Sequence, residues 1–237
     1  MTTLALTLIV FFASILQAAT GFGFAIMSIP FYLLILEPHD AIQLNILLSF
    51  IICLIVSYRI RHRIDKGILI RLIKGSLIGA LPGIALFTFL DEQPLKIFIS
   101  IIILISAALL ITKIKLKESK TKQLIAGAFS GLLNTSTGMG GPPLMIYFLG
   151  AKTDKAIIHA ATNAYFVFIA IISFLLQIIV HPVSKSVWTA ALWSIPFLLA
   201  GMFLGQWLFA KINQQLFLKI IYLLLIVSGL YMLLSNI

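Results

Sequence analysis

Apolar runs of about 20 residues recur along the chain, separated by short polar or charged segments. An α-helix rises about 1.5 Å per residue, so each run matches the roughly 30 Å hydrocarbon core of a bilayer. Runs such as 97–111 (IFISIIILISAALLI) do not alternate apolar and polar positions, as transmembrane β-strands do. The pattern predicts an all-α polytopic membrane protein.

The polar segments predict about eight transmembrane helices, of which helices 1 and 5 are interrupted. The spans cover residues 4–36, 41–60, 68–90, 94–113, 123–149, 156–180, 187–210 and 214–234. The basic loops after spans two and four then share one side, and with Lys185 that side holds twelve of the 17 Lys and Arg residues. The positive-inside rule predicts a plasma (inner) membrane protein with both termini cytoplasmic.

The composition supports a membrane protein and argues against a soluble domain or a nucleic-acid-binding protein. Hydrophobic residues make up 61% of the 237 residues and charged residues 10%, against about 25% charged in an ordinary soluble domain. The net charge of +10 belongs to loops between spans, so it indicates membrane topology and no nucleic-acid partner. The single cysteine, Cys53, lies in an apolar run, where it forms no intramolecular disulfide and is read as a small buried hydrophobe.

The two halves of the chain resemble each other. The segment 20–23 (TGFG) recurs as 137–140 (TGMG), 117 residues later, and Asn45 has a counterpart 118 residues later in Asn163. Further glycines in span three recur 122 residues later in span seven, namely Gly79 and Gly83 as Gly201 and Gly205. We interpret the chain as two transmembrane repeats, 1–113 and 123–237, joined by a basic cytoplasmic linker, 114–122. Four spans per repeat predict that the repeats are parallel.

Two glycine-rich segments interrupt the apolar pattern at corresponding places. Residues 131–143 (GLLNTSTGMGGPP) cannot form a regular helix, because four glycines weaken it and two prolines lack a backbone donor. The counterpart in the first half is 17–24 (QAATGFGF). A break at membrane depth is tolerated only where it is buried in protein or lines a polar cavity. Paired interrupted spans therefore indicate the binding site of a transporter.

A half-helix that begins after such a break directs unpaired N–H groups and its positive dipole end inward, which favours an anion. Hydroxyl and amide groups near the breaks would complete the coordination. His159 and Asn163, four residues apart on one helical face, are further candidates for the site or for a proton relay. The candidate substrate-binding residues are Thr20, Gly21, Gly23, Asn134, Thr135, Ser136, Thr137, Gly138, Gly140, Gly141, Pro142, His159 and Asn163.

Simpler structural interpretations remain open for these residues. The glycines of the breaks can serve close helix packing alone, and His159 with Asn163 can form an ordinary interhelical hydrogen bond. For Gly75, Gly79, Gly83, Gly201 and Gly205, spaced every four residues, packing between membrane helices is the favoured interpretation.

Missing residue types narrow the function further. All seven carboxylates fall in or beside loops, so no span carries the buried acid that cation pathways use. No nucleotide-binding loop, HExxH zinc motif or Ser/His/Asp set is present, so we expect no enzyme activity, no cofactor and no metal site.

The segments TGFGFAIMSIPFYLLIL from Thr20 and GLLNTSTGMGGPPLMIYFLG from Gly131 resemble the TauE/SafE family of sulfite-exporter-like permeases. The resemblance extends over essentially the whole chain. It implies a secondary transporter or exporter of small sulfur-containing anions such as sulfite or organosulfonates, with site residues at 20–23 and 134–143. The first half departs from the pattern because it lacks the Gly-Gly-Pro-Pro ending.

The hypothesis is a secondary transporter of a small anion. Its binding site is accessible alternately from each side of the lipid bilayer. The alternative is a non-transporting membrane subunit for assembly or partner binding, which predicts tightly packed breaks without a cavity. Proton coupling is the suggested energy source, since a histidine such as His159 titrates near neutral pH. A homo-oligomer is compatible with the sequence, which does not indicate the oligomeric state.

Overall fold

The computed structural model describes residues 2–111 and 116–209, and within these ranges every regular element is helical. A short 3-10 turn, Arg61–Arg63, follows the third helix. The α-helices are α1 (Thr2–Thr20), α2 (Gly23–Tyr32), α3 (Pro38–Ile60), α4 (Lys66–Phe89), α5 (Glu92–Ile111), α6 (Lys120–Thr137), α7 (Gly141–Gly150), α8 (Lys155–Val180) and α9 (Lys185–Phe209). The predicted all-α class is confirmed for the described residues.

Helices α3, α4, α8 and α9 are each long and apolar enough to cross a membrane. Local caps fix where several of them begin. The Asp65 carboxylate accepts the Ile68 N–H at 2.9 Å before α4, and the Asp154 carboxylate accepts the Ala156 N–H at 2.8 Å at the start of α8. The predicted eighth span, 214–234, lies outside the described residues.

The first predicted span folds back on itself. After α1, Gly21 adopts φ of +85°, a left-handed conformation that glycine takes without steric cost. Helix α2 then returns along α1. The close packing is shown by Gly23, where a Cβ would lie 2.9 Å from the Leu16 Cβ. The Phe24 N–H also donates to Gln17 Oε1 at 3.0 Å. We call α1, this break and α2 hairpin 1.

The fifth predicted span forms a second hairpin. Gly138 follows α6 with φ of +73°, and the Ser130 hydroxyl, more than two turns back along α6, donates to the Gly140 carbonyl at 2.5 Å. Further from the turn, Gln123 Nε2 donates to the Tyr147 hydroxyl at 3.0 Å. We call α6, this break and α7 hairpin 2. The predicted interruptions are confirmed at both places, but each break reverses the chain.

One end of the helix bundle is marked by histidines. The His39 and His181 rings meet edge to face with their centroids 4.6 Å apart. Asp40 accepts hydrogen bonds from the Ser184 hydroxyl at 2.8 Å and the Ser186 hydroxyl at 3.2 Å. We call this end the histidine face. With one crossing per predicted span, the loop at 181–186 was expected on the side of the basic loops and the loop at 37–40 on the other side. The contact of Asp40 with Ser184 shows that this expectation is wrong.

The opposite end carries the basic residues. Arg59 at the end of α3 donates to Gln206 Oε1 near the end of α9 at 2.7 Å, and Arg71 donates to Gln123 at the start of α6. The Leu116 N–H donates to the Gly150 carbonyl at 2.8 Å, so both ends of hairpin 2 lie here. We call this end the basic face. It includes Arg59, Arg61, Arg63, Lys66, Arg71, Lys120 and Lys152.

The direction of each helix now follows from these two faces. Helices α3, α4 and α5 cross between the faces in turn, whereas hairpin 1 returns to the side where it began. Three crossings are an odd number, so hairpin 2 starts from the basic face while hairpin 1 starts from the histidine face. Corresponding elements therefore run in opposite directions, and the prediction of parallel repeats is wrong. It counted each broken helix as a crossing.

Helices α4 and α9 carry glycines that let them pack closely against a helix of the other half. Helix α4 packs against α6, and α9 packs against α1. A Cβ on Gly83 in α4 would lie 2.6 Å from the Leu132 carbonyl oxygen of α6, and one on Gly79 would overlap the Ala128 carbonyl. Reciprocally, a Cβ on Gly205 in α9 would lie 2.5 Å from the Ile15 carbonyl oxygen of α1. The predicted packing role of these glycines is confirmed.

The same contacts orient the start of the chain. Gly201 of α9 faces the Phe11 carbonyl of α1 and Gly205 faces the Ile15 carbonyl, so the two helices are parallel. Because α9 runs from the histidine face to the basic face, α1 begins toward the histidine face. The prediction that both termini share the side of the basic loops is therefore wrong for the N-terminus.

Selective labelling would test this topology. In a Cys53→Ser background, Glu37→Cys and Lys185→Cys place exposed thiols on the histidine face, and Arg61→Cys places one on the basic face. We expect an impermeant maleimide added to oriented vesicles to label the first two from one side and Arg61→Cys from the other. Labelling of Lys185→Cys together with Arg61→Cys would contradict the inverted arrangement.

Candidate functional site

The two breaks meet inside the bundle and enclose a small cavity. A Cβ on Gly141 at the start of α7 would lie 3.3 Å from the Phe22 carbonyl oxygen in the first break. Helices α3 and α8 close the sides. The polar lining comes from Gln17, Ser49, Cys53 and Asn134, with backbone from Gly138, Gly140 and Gly141.

The cavity offers hydrogen-bond donors and no carboxylate. Within the described part of the chain, the Gly140 N–H has no acceptor, and α7 begins without a side-chain cap. The positive end of the α7 dipole therefore faces the cavity, although Pro142 and Pro143 reduce the number of donors there. All seven acidic residues lie at helix ends or in loops, away from this lining. The local field favours a negative charge.

Gln17 connects the cavity to the first break. It is 2% exposed, its Oε1 accepts the Phe24 N–H, and its Nε2 lies 3.0 Å from the Gly21 carbonyl oxygen. The same nitrogen lies 3.2 Å from Cys53 Sγ and 3.5 Å from Asn163 Oδ1. Three acceptors share the two hydrogens of Nε2, so an anion in the cavity would compete with these acceptors for the Gln17 donor.

An asparagine from the other half of the chain lies next to each hairpin tip. A Cβ on Gly21 would meet Asn163 Nδ2 at 3.0 Å and the His159 ring at 3.3 Å. At the other tip, Asn45 Nδ2 donates to the Gly138 carbonyl at 3.0 Å. The contacts are reciprocal, as the inverted arrangement requires, and both tips border the cavity.

The threonines of the breaks cap their own helices. Thr20 Oγ1 donates to the Leu16 carbonyl and Thr137 Oγ1 to the Leu133 carbonyl, each at 2.7 Å. Ser136 Oγ donates to the Leu132 carbonyl at 2.8 Å. These hydroxyls are used within α1 and α6, and none of the three residues lines the cavity.

Four candidate residues line the cavity, namely Asn134, Gly138, Gly140 and Gly141. Gly21, His159 and Asn163 lie one layer away at the tip of hairpin 1, while Thr20, Gly23, Thr135, Ser136, Thr137 and Pro142 surround the breaks without lining the cavity. Whether any of them binds a substrate stays a prediction.

The sequence analysis did not select Gln17, Ser49 or Cys53. One signal was present for Gln17, because it precedes Gly21 by four residues just as Asn134 precedes Gly138. No pattern placed Cys53 there, since its contact with Gln17 joins α3 to α1. Within the described residues no cluster of three His, Cys, Asp or Glu side chains is arranged to hold a metal ion.

Apolar crossing helices and two opposed broken hairpins that meet at a small cavity, lined by amide and aromatic side chains, are typical of a helical membrane transporter. A family model described as sulfite exporter TauE/SafE matches residues 6–232. The chain belongs to this family of membrane transporters. No curated protein and no solved structure was found to match it.

Proposed function

We propose that the protein is a secondary transporter or exporter of a small sulfur-containing anion, such as sulfite or a short organosulfonate. The carrying observation is the cavity between the breaks, where the Gln17 and Asn134 amides and the Gly140 N–H meet without a carboxylate. The family description, sulfite exporter, supports a sulfur oxyanion in particular. We also propose proton coupling.

The size of the cavity supports a small substrate. In this conformation it holds roughly one or two water molecules, by the space that a buried water needs. Asn45 donates to the tip of hairpin 2, and Asn163 lies next to the tip of hairpin 1. We propose that the substrate is exposed to one face when hairpin 1 releases its asparagine and to the other when hairpin 2 does.

The non-transporting alternative requires breaks that pack tightly with no cavity between them. A cavity between the breaks, lined in part by the Gln17 and Asn134 amides, supports transport instead, although neither Thr20 nor Thr137 lines it. An ordinary packing contact would also not need the orphaned Gly140 N–H, because burying an unpaired donor costs about 1–3 kcal/mol.

The orientation follows from charge. Of the Lys and Arg residues in the described ranges, only Lys96 and Lys185 lie toward the histidine face. We propose that the basic face is cytoplasmic in a plasma (inner) membrane, by the positive-inside rule. We also propose that 1–113 and 123–237 are inverted repeats.

A flux assay tests the function. Purified protein in liposomes should move labelled sulfite, thiosulfate or a short sulfonate faster than protein-free liposomes, with saturation and mutual competition. Far-ultraviolet circular dichroism and a single size-exclusion peak establish that the sample is folded. Folded protein that moves none of these anions would overturn the proposal.

His159 is the proposed proton carrier for hairpin 1. Its Nε2 lies 3.2 Å from the Ala18 carbonyl oxygen, and its ring borders Gly21. We expect His159→Gln to keep binding while losing most of the flux that a pH gradient drives, since Gln can still donate a hydrogen bond but cannot titrate. Exposed His62 provides a matched His→Gln control. Unchanged pH-driven flux in His159→Gln would remove this assignment.

A further inference from the structure

A stripe of mostly polar residues runs along one face of α8. Residues spaced three or four apart lie on one side of a helix, so the positions from His159 to His181 form a continuous line. Three of its polar members, Asn163, Ser173 and Gln177, have no exposed surface. The stripe comprises His159, Asn163, Phe166, Ala170, Ser173, Gln177 and His181.

Hydrogen bonds join the histidine-face half of the stripe to hairpin 2. Gln177 Nε2 donates to the Thr135 carbonyl at 2.8 Å, and the Ser173 and Thr135 hydroxyls lie 2.7 Å apart. Asn134 Nδ2 donates to Ser173 Oγ at 3.0 Å, and Asn134 and Phe166 both line the cavity. A line of polar groups therefore leads from the histidine face to the cavity.

Two buried acceptors beside this line have no partner. Gln177 Oε1 and Gln43 Oε1 are both completely buried and unpaired. The orientation of each amide is fixed, because Gln177 Nε2 donates to the Thr135 carbonyl and Gln43 Nε2 to the His181 carbonyl at 2.8 Å. Buried amide oxygens normally accept a hydrogen bond, so each of these two oxygens can accept one from a donor such as water.

The inverted arrangement provides an internal comparison. Helix α3 corresponds to α8, and the positions equivalent to Phe166, Ala170 and Ser173 are Leu48, Ile52 and Ile55. The two helices take equivalent places in the bundle, yet the central part of the line is fully apolar only in α3. Packing in the fold therefore does not require Ser173, and polar residues on α8 need another explanation.

We infer that this side of α8, from His181 through Gln177 and Ser173, forms the route by which water and the anion pass between the histidine face and the cavity. The inference rests on the proposed function. In the present conformation the route is sealed by the contacts of hairpin 2, and it opens when hairpin 2 moves away from α8. The orphaned Gln43 and Gln177 oxygens are then hydrated.

The His39 and His181 rings stand at the mouth of the route. Burial and the neighbouring His39 lower the pKa of His181, against the opposing effect of Asp40 and Glu37. His181 is therefore neutral at neutral pH, and the contact between the rings is kept. Acidification protonates His181 beside His39, where the Asp40 and Glu37 carboxylates favour the added positive charge.

Cysteine accessibility tests the route, and the single native cysteine makes the background simple. In Cys53→Ser protein, Ser173→Cys is nearly isosteric, and Gln177→Cys provides a second position. Leu175, which lies on the same helix turn and is 58% exposed toward lipid, provides the control Leu175→Cys. The probe is a membrane-impermeant anionic methanethiosulfonate, applied from the histidine face to folded protein in vesicles.

We expect the thiols at 173 and 177 to react about tenfold or more faster than the thiol at 175, since each unit of pKa rise in lipid removes about nine tenths of the reactive thiolate. A short sulfonate should slow the reaction at 173. Equal rates at 173 and 175, or no reaction at 173 and 177, would overturn the route.

Flux through the wild-type protein, which keeps Cys53 in the cavity lining, separates the two proposals. Flux without labelling of the stripe would contradict the route alone. Labelling of the stripe without flux of any sulfur anion would contradict the proposed substrate and leave the route standing.

Discussion

Gln17→Glu is expected to abolish anion transport while leaving the protein folded. The glutamate keeps an acceptor for the Phe24 N–H, but it removes the Nε2 donor and adds a negative charge to the cavity lining. Two like charges about 4 Å apart repel by roughly 4 kcal/mol at an effective dielectric constant near 20, which is about a thousandfold in affinity. Flux of labelled sulfite in proteoliposomes measures the loss.

Gln206→Glu is the matched control for this substitution. Gln206 lies near the end of α9 at the basic face, where its Oε1 already accepts from Arg59, so a carboxylate is tolerated. We expect wild-type flux from Gln206→Glu. If Gln17→Glu transported as well as Gln206→Glu at neutral pH, the anion would not pass the Gln17 side chain.

Gly79→Ala is expected to cause the largest loss of stability. A Cβ at this position would overlap the Ala128 carbonyl, and a backbone atom in the middle of α6 cannot rotate away as a side chain can. Separating α4 from α6 would cost on the order of 3 kcal/mol or more, the upper range for overpacked cores. Thermal unfolding in detergent, followed by circular dichroism, measures it.

Gly67→Ala is the control in the same helix. A Cβ there would approach only side-chain atoms of Asp65 and Arg71, at 3.1 Å and 3.3 Å, and these can move. We expect a melting temperature close to that of the wild type. Similar melting of Gly79→Ala and wild type would show that α4 and α6 are not packed backbone to backbone.

The sequence was sufficient for the class and for the position of the breaks. Glycine and proline at 131–143 predicted a break on local grounds, and Gly138 takes a left-handed conformation there. The break is shorter than predicted, because α6 stays helical to Thr137 and α7 begins at Gly141. A break does not reveal the direction in which the chain continues, so the turn at each tip could not be derived from those residues. One physical signal was present. The predicted span 4–36 would be about 50 Å long as one helix, well beyond the roughly 30 Å hydrocarbon core.

The predictions of repeat orientation and of the side of the termini depended on the number of membrane crossings, and this number depends on whether the chain reverses at each break. Treating each broken span as a crossing gave an even number per repeat, and hence parallel repeats and a shared side for the termini. The contact of Asp40 with Ser184, 144 residues apart, reverses that conclusion. Such a pairing has no sequence signature in a single chain.

The candidate site was only partly within reach of the sequence. Glycines and Asn134 follow from the motif, because backbone exposure and amide donors suit an anion. Cys53 and Gln17 enter the cavity because α1 and α3 are parallel neighbours, which helix periodicity alone does not indicate. Thr20 and Thr137 were attractive as hydroxyl donors, yet in a membrane helix a threonine hydroxyl readily bonds to the carbonyl four residues earlier.

The most direct measurement is the position of a bound anion. Selenite has the shape and charge of sulfite, and selenium scatters anomalously, so diffraction from crystals grown with selenite would locate it. The expected result is one anomalous peak between Gln17 Nε2 and the Gly140 N–H, lost in Gln17→Glu. A transport-competent protein whose selenite peak lies outside the cavity between the hairpin tips would contradict the proposed site.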